Sequence, residues 1–286
     1  MPIDPDKLLR FAIPTVRERV TARDAAFYAL SVGFGQDPLD RRQLRFVDPA
    51  AGPVPVPTMP LIMAHPGFWL GHPESGVDPV AVLHGAQTVE ILDAIPIDGD
   101  VESRTRITGL VDKGPGKPAL IYTETELTNA AGQAFARLER TTFIRGGGGF
   151  GGSSSGGAPV IAVPEGEPDA IVDLQTRPEQ ALFYRLNGDL NPLHSDPAIA
   201  AKAGFAAPIL HGLCTMGVIM HALLRGALDY QAGPLRSVAL RFAAPVLPGE
   251  TIRTEIWRNG AFRARTVERD VVIADQGYFT SQGKSR

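Results

Sequence analysis

An acid, an amide and an imidazole lie close together in the second half of the chain, as Asp189, Asn191 and His194. A carboxylate and an imidazole both exchange protons near neutral pH, and an amide can orient a water molecule or a polar ligand. These side chains therefore predict a site that holds and activates water. The same residue types also favour turns, so a loop without a chemical role is an equally good interpretation of the spacing alone.

The pair His211-Gly212 carries a second candidate group, at the start of a long apolar segment. Apolar residues recur at helical spacing from Leu213 to Leu224, which predicts a buried helix beginning at the pair. The first N–H groups of a helix lack intrahelical acceptors and lie at the positive end of its dipole. The Gly212 N–H is therefore a candidate donor to an oxygen that gains negative charge, and the alternative is a glycine needed for close packing.

Turn signals place the polar loop between two short helices. The helical pattern that precedes it breaks at Asn187-Gly188. Asp196-Pro197 then predicts the start of a small alanine-rich helix, with Asp196 as its cap. Asp196 is therefore assigned a structural role. The sequence contains no GxSxG segment, so it gives no indication of a hydrolase triad.

Composition narrows the class of protein. A length of 286 residues, with 44% hydrophobic and 21% charged residues, is typical of a globular protein with one large domain or two smaller ones. The formal net charge of −3 gives no reason to expect nucleic acid or an anionic membrane as a partner. The single cysteine, Cys214, excludes an intramolecular disulfide and is predicted to lie in the core. Without a secretory signal, a membrane span or an SKL-type ending, we expect a cytoplasmic protein.

A glycine- and serine-rich segment, Gly146 to Pro159, divides the chain, and we expect a flexible connector there. The flanking parts resemble each other: AAFYALSVG at 25–33 is similar to ALFYRLNGD at 181–189, and LHG at 83–85 echoes LHG at 210–212. We therefore predict an internal duplication. Its parts are residues 1–145, 146–159 and 160–286.

Alternating residues predict long antiparallel strands in both halves. The segments concerned are Ala119–Leu127, Ala134–Ile144, Thr251–Trp257 and Phe262–Ala274. Asn259-Gly260 predicts a hairpin, and Asp275-Gln276-Gly277 a further turn. Between the His-Gly pair and a later proline there are 37 positions in the second half and 12 in the first, so the first half is expected to lack the long helix.

The segment YRLNGDLNPLHSDP, residues 184–197, resembles the hydratase 2 motif of R-specific 2-enoyl-CoA hydratases, the MaoC-like branch of the hot-dog fold. The likeness continues through LHG at 210–212 and RFAAPVLPGE at 241–250. In the first half, LHGAQ, VDKGPG and IRGGGGFGG are similar to segments of two-repeat members, such as the hydratase unit of peroxisomal multifunctional enzyme type 2. The resemblance implies an α+β double hot-dog fold, and it implies that part of the glycine-rich segment is an ordered loop.

The resemblance also implies roles for particular residues. Asp189 and His194 become the catalytic pair, with Asn191 beside them, and the Gly212 N–H receives the thioester oxygen. Further positions match those that contact the acyl-CoA, namely His84, Gly85, Lys113 and Phe242. From the sequence alone, Lys113 is a solvated lysine on a glycine-rich turn.

The implied activity is reversible syn addition of water to a trans-2-enoyl-CoA, which gives the (R)-3-hydroxyacyl-CoA. Coenzyme A is then part of the substrate, no other cofactor or metal is expected, and analogy implies a homodimer. The missing first-half helix predicts space for medium or longer acyl chains. Three alternatives remain open: a dehydratase of carrier-protein or specialised acyl-CoA thioesters, a hot-dog thioesterase, and a non-catalytic acyl-CoA-binding protein.

Overall fold

The computed structural model describes residues 2–154 and 161–282, which build one ten-stranded antiparallel sheet with helices packed on it. The N-terminal half contributes α1 (Pro5–Arg10), β1 (Val16–Val20), α2 (Ala22–Ser31), α3 (Arg41–Val47), β2 (Val82–Ile91), β3 (Gly99–Asp112), β4 (Ala119–Asn129) and β5 (Ala134–Ile144). The C-terminal half contributes β6 (Ala170–Gln175), α4 (Gln180–Tyr184), α5 (Pro197–Lys202), α6 (Gly212–Ala227), β7 (Leu235–Phe242), β8 (Thr251–Ile256), β9 (Ala261–Thr266) and β10 (Val271–Ser281).

The strand order reveals the duplication. Along the sheet it reads β1-β3-β4-β5-β2, then β7-β10-β9-β8-β6. Each half therefore places its first strand at the outer edge and its second strand at the centre. The halves meet where β2 and β7 pair antiparallel, with Ala86 opposite Arg241 and Glu90 opposite Ser237. This arrangement confirms the predicted double hot-dog fold.

The long helix α6 belongs to the C-terminal half, as predicted. Every residue from Cys214 to Leu224 is buried, because α6 is covered by strands on one side and by α2 on the other. A helix that is apolar on all sides requires such cover. No helix in the described ranges combines the length and the hydropathy needed to cross a bilayer.

The N-terminal half has no such helix among its described residues. After α3, the chain runs from Asp48 to Ala81 through loops and short 3-10 turns before β2 begins. This segment lies over the sheet face that a long helix covers in the other half. A cavity remains between this segment and the sheet.

Strand predictions were accurate in the first half and partly wrong in the second. The hairpin at Asn259-Gly260 is confirmed, with Gly260 at φ +91° between β8 and β9. Phe262–Ala274 is not one strand, because the chain turns near Asp270, at φ 54°. Asp275-Gln276-Gly277 is not a turn but an irregularity within β10, where Gln276 takes φ 55°.

The two Leu-His-Gly segments, one in each half, also do not occupy equivalent positions in the structure. Leu83-His84-Gly85 lies within β2, whereas His211-Gly212 begins α6. Gly85 sits at a register shift, and a Cβ there would lie 2.2 Å from the Phe143 ring. Close packing thus explains the glycine in the first half.

The glycine-rich segment is ordered over its described part, residues 146–154, as the resemblance implied for part of it, whereas composition alone predicted a flexible connector. The Asp112 carboxylate accepts N–H bonds from Gly114 at 2.8 Å, Gly149 at 2.6 Å and Gly151 at 2.7 Å. Those bonds, led by that of Gly149, lower the pKa of Asp112. The remainder of the predicted connector, 155–159, lies outside the described residues.

Candidate active site

The polar loop is built by its own turn bonds. The Asn191 side chain caps a 3-10 turn over Pro192–His194 by accepting the Leu193 N–H at 3.0 Å. The Asp189 carboxylate accepts the Asn191 N–H at 3.2 Å. The turn interpretation therefore holds for both residues, and the turn also places His194 on the inner side of the loop. Asp196 caps α5 through Ala198 and Ile199, as predicted.

His194 is held as a neutral base. Its Nδ1 lies 2.8 Å from the carbonyl oxygen of Ile209. A carbonyl can only accept, so Nδ1 carries the proton and Nε2 keeps a free lone pair. Burial lowers the pKa of His194 below its ordinary value, an effect that the Ile209 bond and Asp189 oppose. The imidazole is therefore neutral at pH 7, and its Nε2 is available as a proton acceptor.

His211 packs directly on His194. The ring centroids are 3.7 Å apart with an interplanar angle of 27°. The His211 Nε2 donates to the backbone carbonyl of Asp189 at 3.2 Å, which ties the loop to the start of α6. Burial, followed by the neighbouring His194, lowers the pKa of His211 to about 4. His211 is thus neutral, and it holds both members of the predicted pair: it stacks on the His194 ring and donates a hydrogen bond to the backbone of Asp189.

One ligand atom each of Asp189, His194 and His211 lies within 4.8 Å of the others. This is a grouping that could hold a metal ion. The two rings are stacked, however, so their in-plane lone pairs do not converge on one point as ligation requires. The arrangement is better suited to holding a water molecule between Asp189, which is exposed, and the Nε2 of His194.

The start of α6 adjoins this group, because His211 is the N-cap residue of the helix. No described residue, in 2–154 or 161–282, accepts a hydrogen bond from the Gly212 N–H. A Cβ on Gly212 would sit 3.5 Å from the Phe242 ring, so a side chain would narrow the slot between them. The Phe242 ring in turn packs edge-on against His84, with centroids 4.8 Å apart. The structure thereby brings together three of the residues that the resemblance indicated.

Lys113 lies apart from that group. It follows β3 at the same end of the sheet as His84, three strands away, which corresponds to about 14 Å at the usual strand spacing. Its Nζ donates to the carbonyl of Ser154 at 3.1 Å, so the ammonium is joined to the ordered glycine-rich loop. It is an exposed cation on a fixed turn.

A cavity of about 50 Å³ occupies the place that a long helix fills in the other half. Its roof comes from the helix-free segment and includes Leu61, Met63 and Trp69. Leu213, in the first turn of α6, forms part of the wall, so the cavity adjoins the Gly212 N–H. The floor comes from the N-terminal sheet and includes Arg140 of β5.

Sequence reasoning did not find Arg140 or the role of His211. On β5, Arg140 shares a face with Ala136, Leu138 and Ile144, so an arginine on an otherwise apolar strand face was the available signal. Tyr184 was also passed over. Its ring lies 5.0 Å from His211, and its hydroxyl is buried without a partner in the part of the chain that the structure describes.

Two family descriptions match the chain and divide it between them. Residues 19–146 match the MFE-2 hydratase 2 N-terminal domain, and residues 160–277 match the MaoC like domain. Together they cover most of the sequence.

Curated relatives match over nearly the full length. The chain is 39% identical to "Enoyl-CoA hydratase ChsH3" of Mycobacterium tuberculosis, with 91% of each chain covered. It is 35% identical to "Enoyl-CoA hydratase 2, peroxisomal" of Arabidopsis thaliana, with 98% of this chain and 96% of that one covered. Among solved structures, a MaoC-like dehydratase from Phytophthora capsici superposes with a TM-score of 0.86 at 32% identity, covering 99% of this chain and 100% of the other.

Proposed function

This chain belongs to the MaoC-like family of dehydratases and type 2 enoyl-CoA hydratases, and we propose that it is an R-specific hydro-lyase that adds water reversibly to trans-2-enoyl-CoA thioesters. The product is the (R)-3-hydroxyacyl-CoA. One observation carries the proposal: the Asp189 carboxylate and the His194 ring lie together with His211, which is the N-cap residue directly before the unpaired Gly212 N–H.

The pair enters the reaction as two proton acceptors. Asp189 and the Nε2 of His194 hold the hydrogens of one water, which leaves an oxygen lone pair free to attack C3. As that C–O bond forms, one water proton passes to the pair and is delivered to C2 on the same face, so the addition is syn. The other proton stays on the new hydroxyl group.

Charge moves onto the thioester oxygen during this attack. The Gly212 N–H, at the positive end of α6, donates to that oxygen and stabilises the enolate. Asn191 supports the pair by capping the turn that carries His194. The proposed chemistry uses the coenzyme A of the substrate and no other cofactor.

The coenzyme A portion is assigned to the N-terminal half. Phe242 adjoins Gly212 and packs on His84 of β2, and Gly85 follows His84 in the same strand, which supports a path for the thioester arm along the end of β2. Lys113 continues this path along the same sheet edge and offers an ammonium to a phosphate group.

The acyl chain is assigned to the cavity next to Leu213. Medium or longer chains need more room than the cavity has now. The roof consists of loops and single 3-10 turns, which open at lower cost than a packed helix. We therefore expect activity to extend to these chains.

A turnover assay over trans-2-enoyl-CoAs from C4 to C16, with chiral analysis of the product, tests both the reaction and the acyl pocket. We expect the R product throughout and a kcat/KM that is maintained beyond C6. A racemic or S product would contradict the proposed chemistry. A sharp fall beyond C6 would contradict only the tolerance for longer chains.

We further propose that the protein is a cytoplasmic homodimer. Exposed apolar side chains lie beside the site, on α4 and the turn after it, as Leu182, Phe183, Leu186 and Leu190. Such neighbouring apolar groups favour an interface between copies. Light scattering at low and high protein concentration measures the mass, and a monomer at all concentrations would contradict the dimer.

A further inference from the structure

The floor of the cavity is polar although it lies in the middle of a core-facing sheet surface. The strands β2 to β5 point six polar side chains into it: Gln87, Thr105, Thr123, Thr125, Arg140 and Thr142. On the same sheet, Val89 and Leu127 belong to one apolar cluster, and Ile121 and Ile144 belong to another. The polar floor separates two apolar clusters, so it is not the ordinary lining of a hydrocarbon site.

Arg140 is the only cation among the polar floor residues of this cavity. No carboxylate in the described ranges forms an ion pair with it, although burial lowers its pKa and the charge of Asp189 opposes this lowering through space. The one hydrogen-bonding contact of Arg140 in those ranges is from Nη2 to the Nδ1 of His84, at 3.4 Å. Burial lowers the pKa of His84 well below its ordinary value, so this partner is a neutral acceptor. By contrast Arg137, on the opposite face of the same strand, forms an ion pair with Glu90 at 3.1 Å.

Most donors of the Arg140 guanidinium therefore remain available to a ligand. A guanidinium presents five N–H donors in a planar fork that matches a carboxylate. The hydroxyls of Thr123 and Thr142, both buried, make no hydrogen bond to any other described residue and add donors at the same place. A charge in such a place is costly unless it is paired, so a ligand anion would bind more tightly than a methyl group.

The cavity also has an apolar wall for methylene groups. Leu61, Met63 and Leu70 form part of the roof, and Leu213 connects the cavity to the Gly212 N–H where the thioester oxygen is assigned. The small volume, about 50 Å³, holds only a few water-sized groups. A chain entering from the reacting carbons reaches the polar floor after a few methylenes.

Resting on the proposed hydratase function, we infer that, among 2-enoyl-CoA esters with acyl chains short enough for the closed cavity, those that end in a carboxylate are preferred, with Arg140 as the residue that recognises the carboxylate. The carboxylate binds in the fork of Arg140 and accepts from the threonine hydroxyls. Chains that end in a methyl group remain substrates but gain none of these bonds.

Calorimetry with saturated, unreactive thioesters tests the inference without requiring catalysis. We expect adipoyl-CoA to bind about 10- to 100-fold more tightly than hexanoyl-CoA, since hydrogen bonds to charged groups have that effect on affinity. In Arg140→Met the two dissociation constants become nearly equal. The matched control, Arg137→Met, retains the wild-type ratio because its guanidinium faces away from the cavity.

The ratio of kcat/KM for the ω-carboxy and the methyl form of trans-2-hexenoyl-CoA provides the kinetic counterpart. Equal binding of adipoyl-CoA and hexanoyl-CoA by the wild-type protein would overturn the inference, whether or not Arg140→Met folds. Equally tight binding of 6-hydroxyhexanoyl-CoA and adipoyl-CoA would also overturn it, because the charge would then not be recognised. A retained binding preference without any hydration would instead contradict the proposed function alone.

Discussion

The two halves of the molecule share one strand order but use the space beneath their sheets differently. In the C-terminal half, the 16-residue helix α6 fills that space and presents the Gly212 N–H at its start. In the N-terminal half, loops and single turns cross the same space and leave a cavity with a polar floor. Under the proposed function, one half therefore supplies the reacting groups, and the other supplies room for the ligand.

The two copies of the duplicated fold therefore differ in what covers the sheet. A helix core is needed where a fixed dipole and a buried histidine must be held in place. A loop-covered sheet is tolerable where a ligand must enter. The halves remain joined through the β2–β7 pair and through α6, which packs on α2 of the other half.

The largest expected effect concerns the groups that only the C-terminal half has. We expect Asp189→Asn and His194→Ala each to reduce hydration of crotonyl-CoA by about 10²- to 10⁴-fold, because each removes a positioned proton acceptor. Loss of enoyl-thioester absorbance measures the rate, and unchanged thermal unfolding shows that the fold is kept.

The matched control is Asp37→Asn, in the loop that follows α2 in the N-terminal half. Asp37 is exposed, and its carboxylate accepts only the Leu39 N–H among described partners. We expect wild-type turnover from this variant. Near wild-type turnover from both Asp189→Asn and His194→Ala would show that the site lies elsewhere.

The next effect concerns the loop that the N-terminal half uses to hold Lys113. Asp112→Ala removes three N–H bonds to a carboxylate, and we expect the free energy of unfolding to fall by about 2 kcal/mol or more. Because Lys113 adjoins this loop, KM for enoyl-CoA is expected to rise more than kcat falls. Urea unfolding and steady-state kinetics measure the two effects.

Asp112→Asn serves as the comparison, since its amide oxygen still accepts N–H bonds. It is expected to lie between Asp112→Ala and the wild type in both stability and KM. If Asp112→Ala destabilised the protein without changing KM, the assignment of this loop to coenzyme A binding would fail.

A smaller effect tests the contact between the halves. A Cβ on Gly217 of α6 would lie 2.4 Å from Val32 Cγ1 of the segment that ends α2. We expect the overpacking in Gly217→Ala to lower the free energy of unfolding by about 1–3 kcal/mol. The higher helix propensity of alanine offsets about 1 kcal/mol of this loss. Gly233→Ala, where a Cβ meets nothing within 4 Å, is the control for urea unfolding. An unchanged stability for Gly217→Ala would mean that the halves pack loosely.

The last effect is the dependence of stability on pH. Burial lowers the pKa of His65 and of His211 to about 4 and that of His221 to about 3, and it also lowers the pKa of His84 and of His194. Three of these histidines belong to the C-terminal half and two to the N-terminal half. The unfolded chain binds protons below the ordinary histidine pKa of about 6.5, whereas these native histidines do not. The free energy of unfolding therefore falls as pH drops from about 6.5 toward 4, by up to about 1.4 kcal/mol per pH unit for each histidine.

Urea unfolding at several pH values between 7.5 and 5 measures this slope. His221→Phe, which removes one buried imidazole, is expected to make it shallower. His72→Gln, at an exposed position in the N-terminal half, is expected to leave it unchanged. Equal slopes in all three proteins would contradict the histidine origin.

Much of the fold followed from local sequence. The polar loop, the cap at Asp196, the long helix from Gly212 and the strands around residues 119–144 were predicted, because turn signals and residue periodicity act over short distances. The turn near Asp270 was missed because it contains no glycine or proline, and an aspartate adopts the positive φ instead.

The sequence by itself thus determined the duplication, the candidate pair Asp189 and His194, and the glycine that begins the helix. Only the tertiary structure decided which nitrogen of His194 is free, since the Ile209 carbonyl that holds the other is brought there by the fold. It also decided that His211 stacks on His194 and that Arg140 lies in the cavity without an ion pair to any residue that the structure describes. These features depend on strand register and helix placement between distant segments, which short-range patterns do not encode.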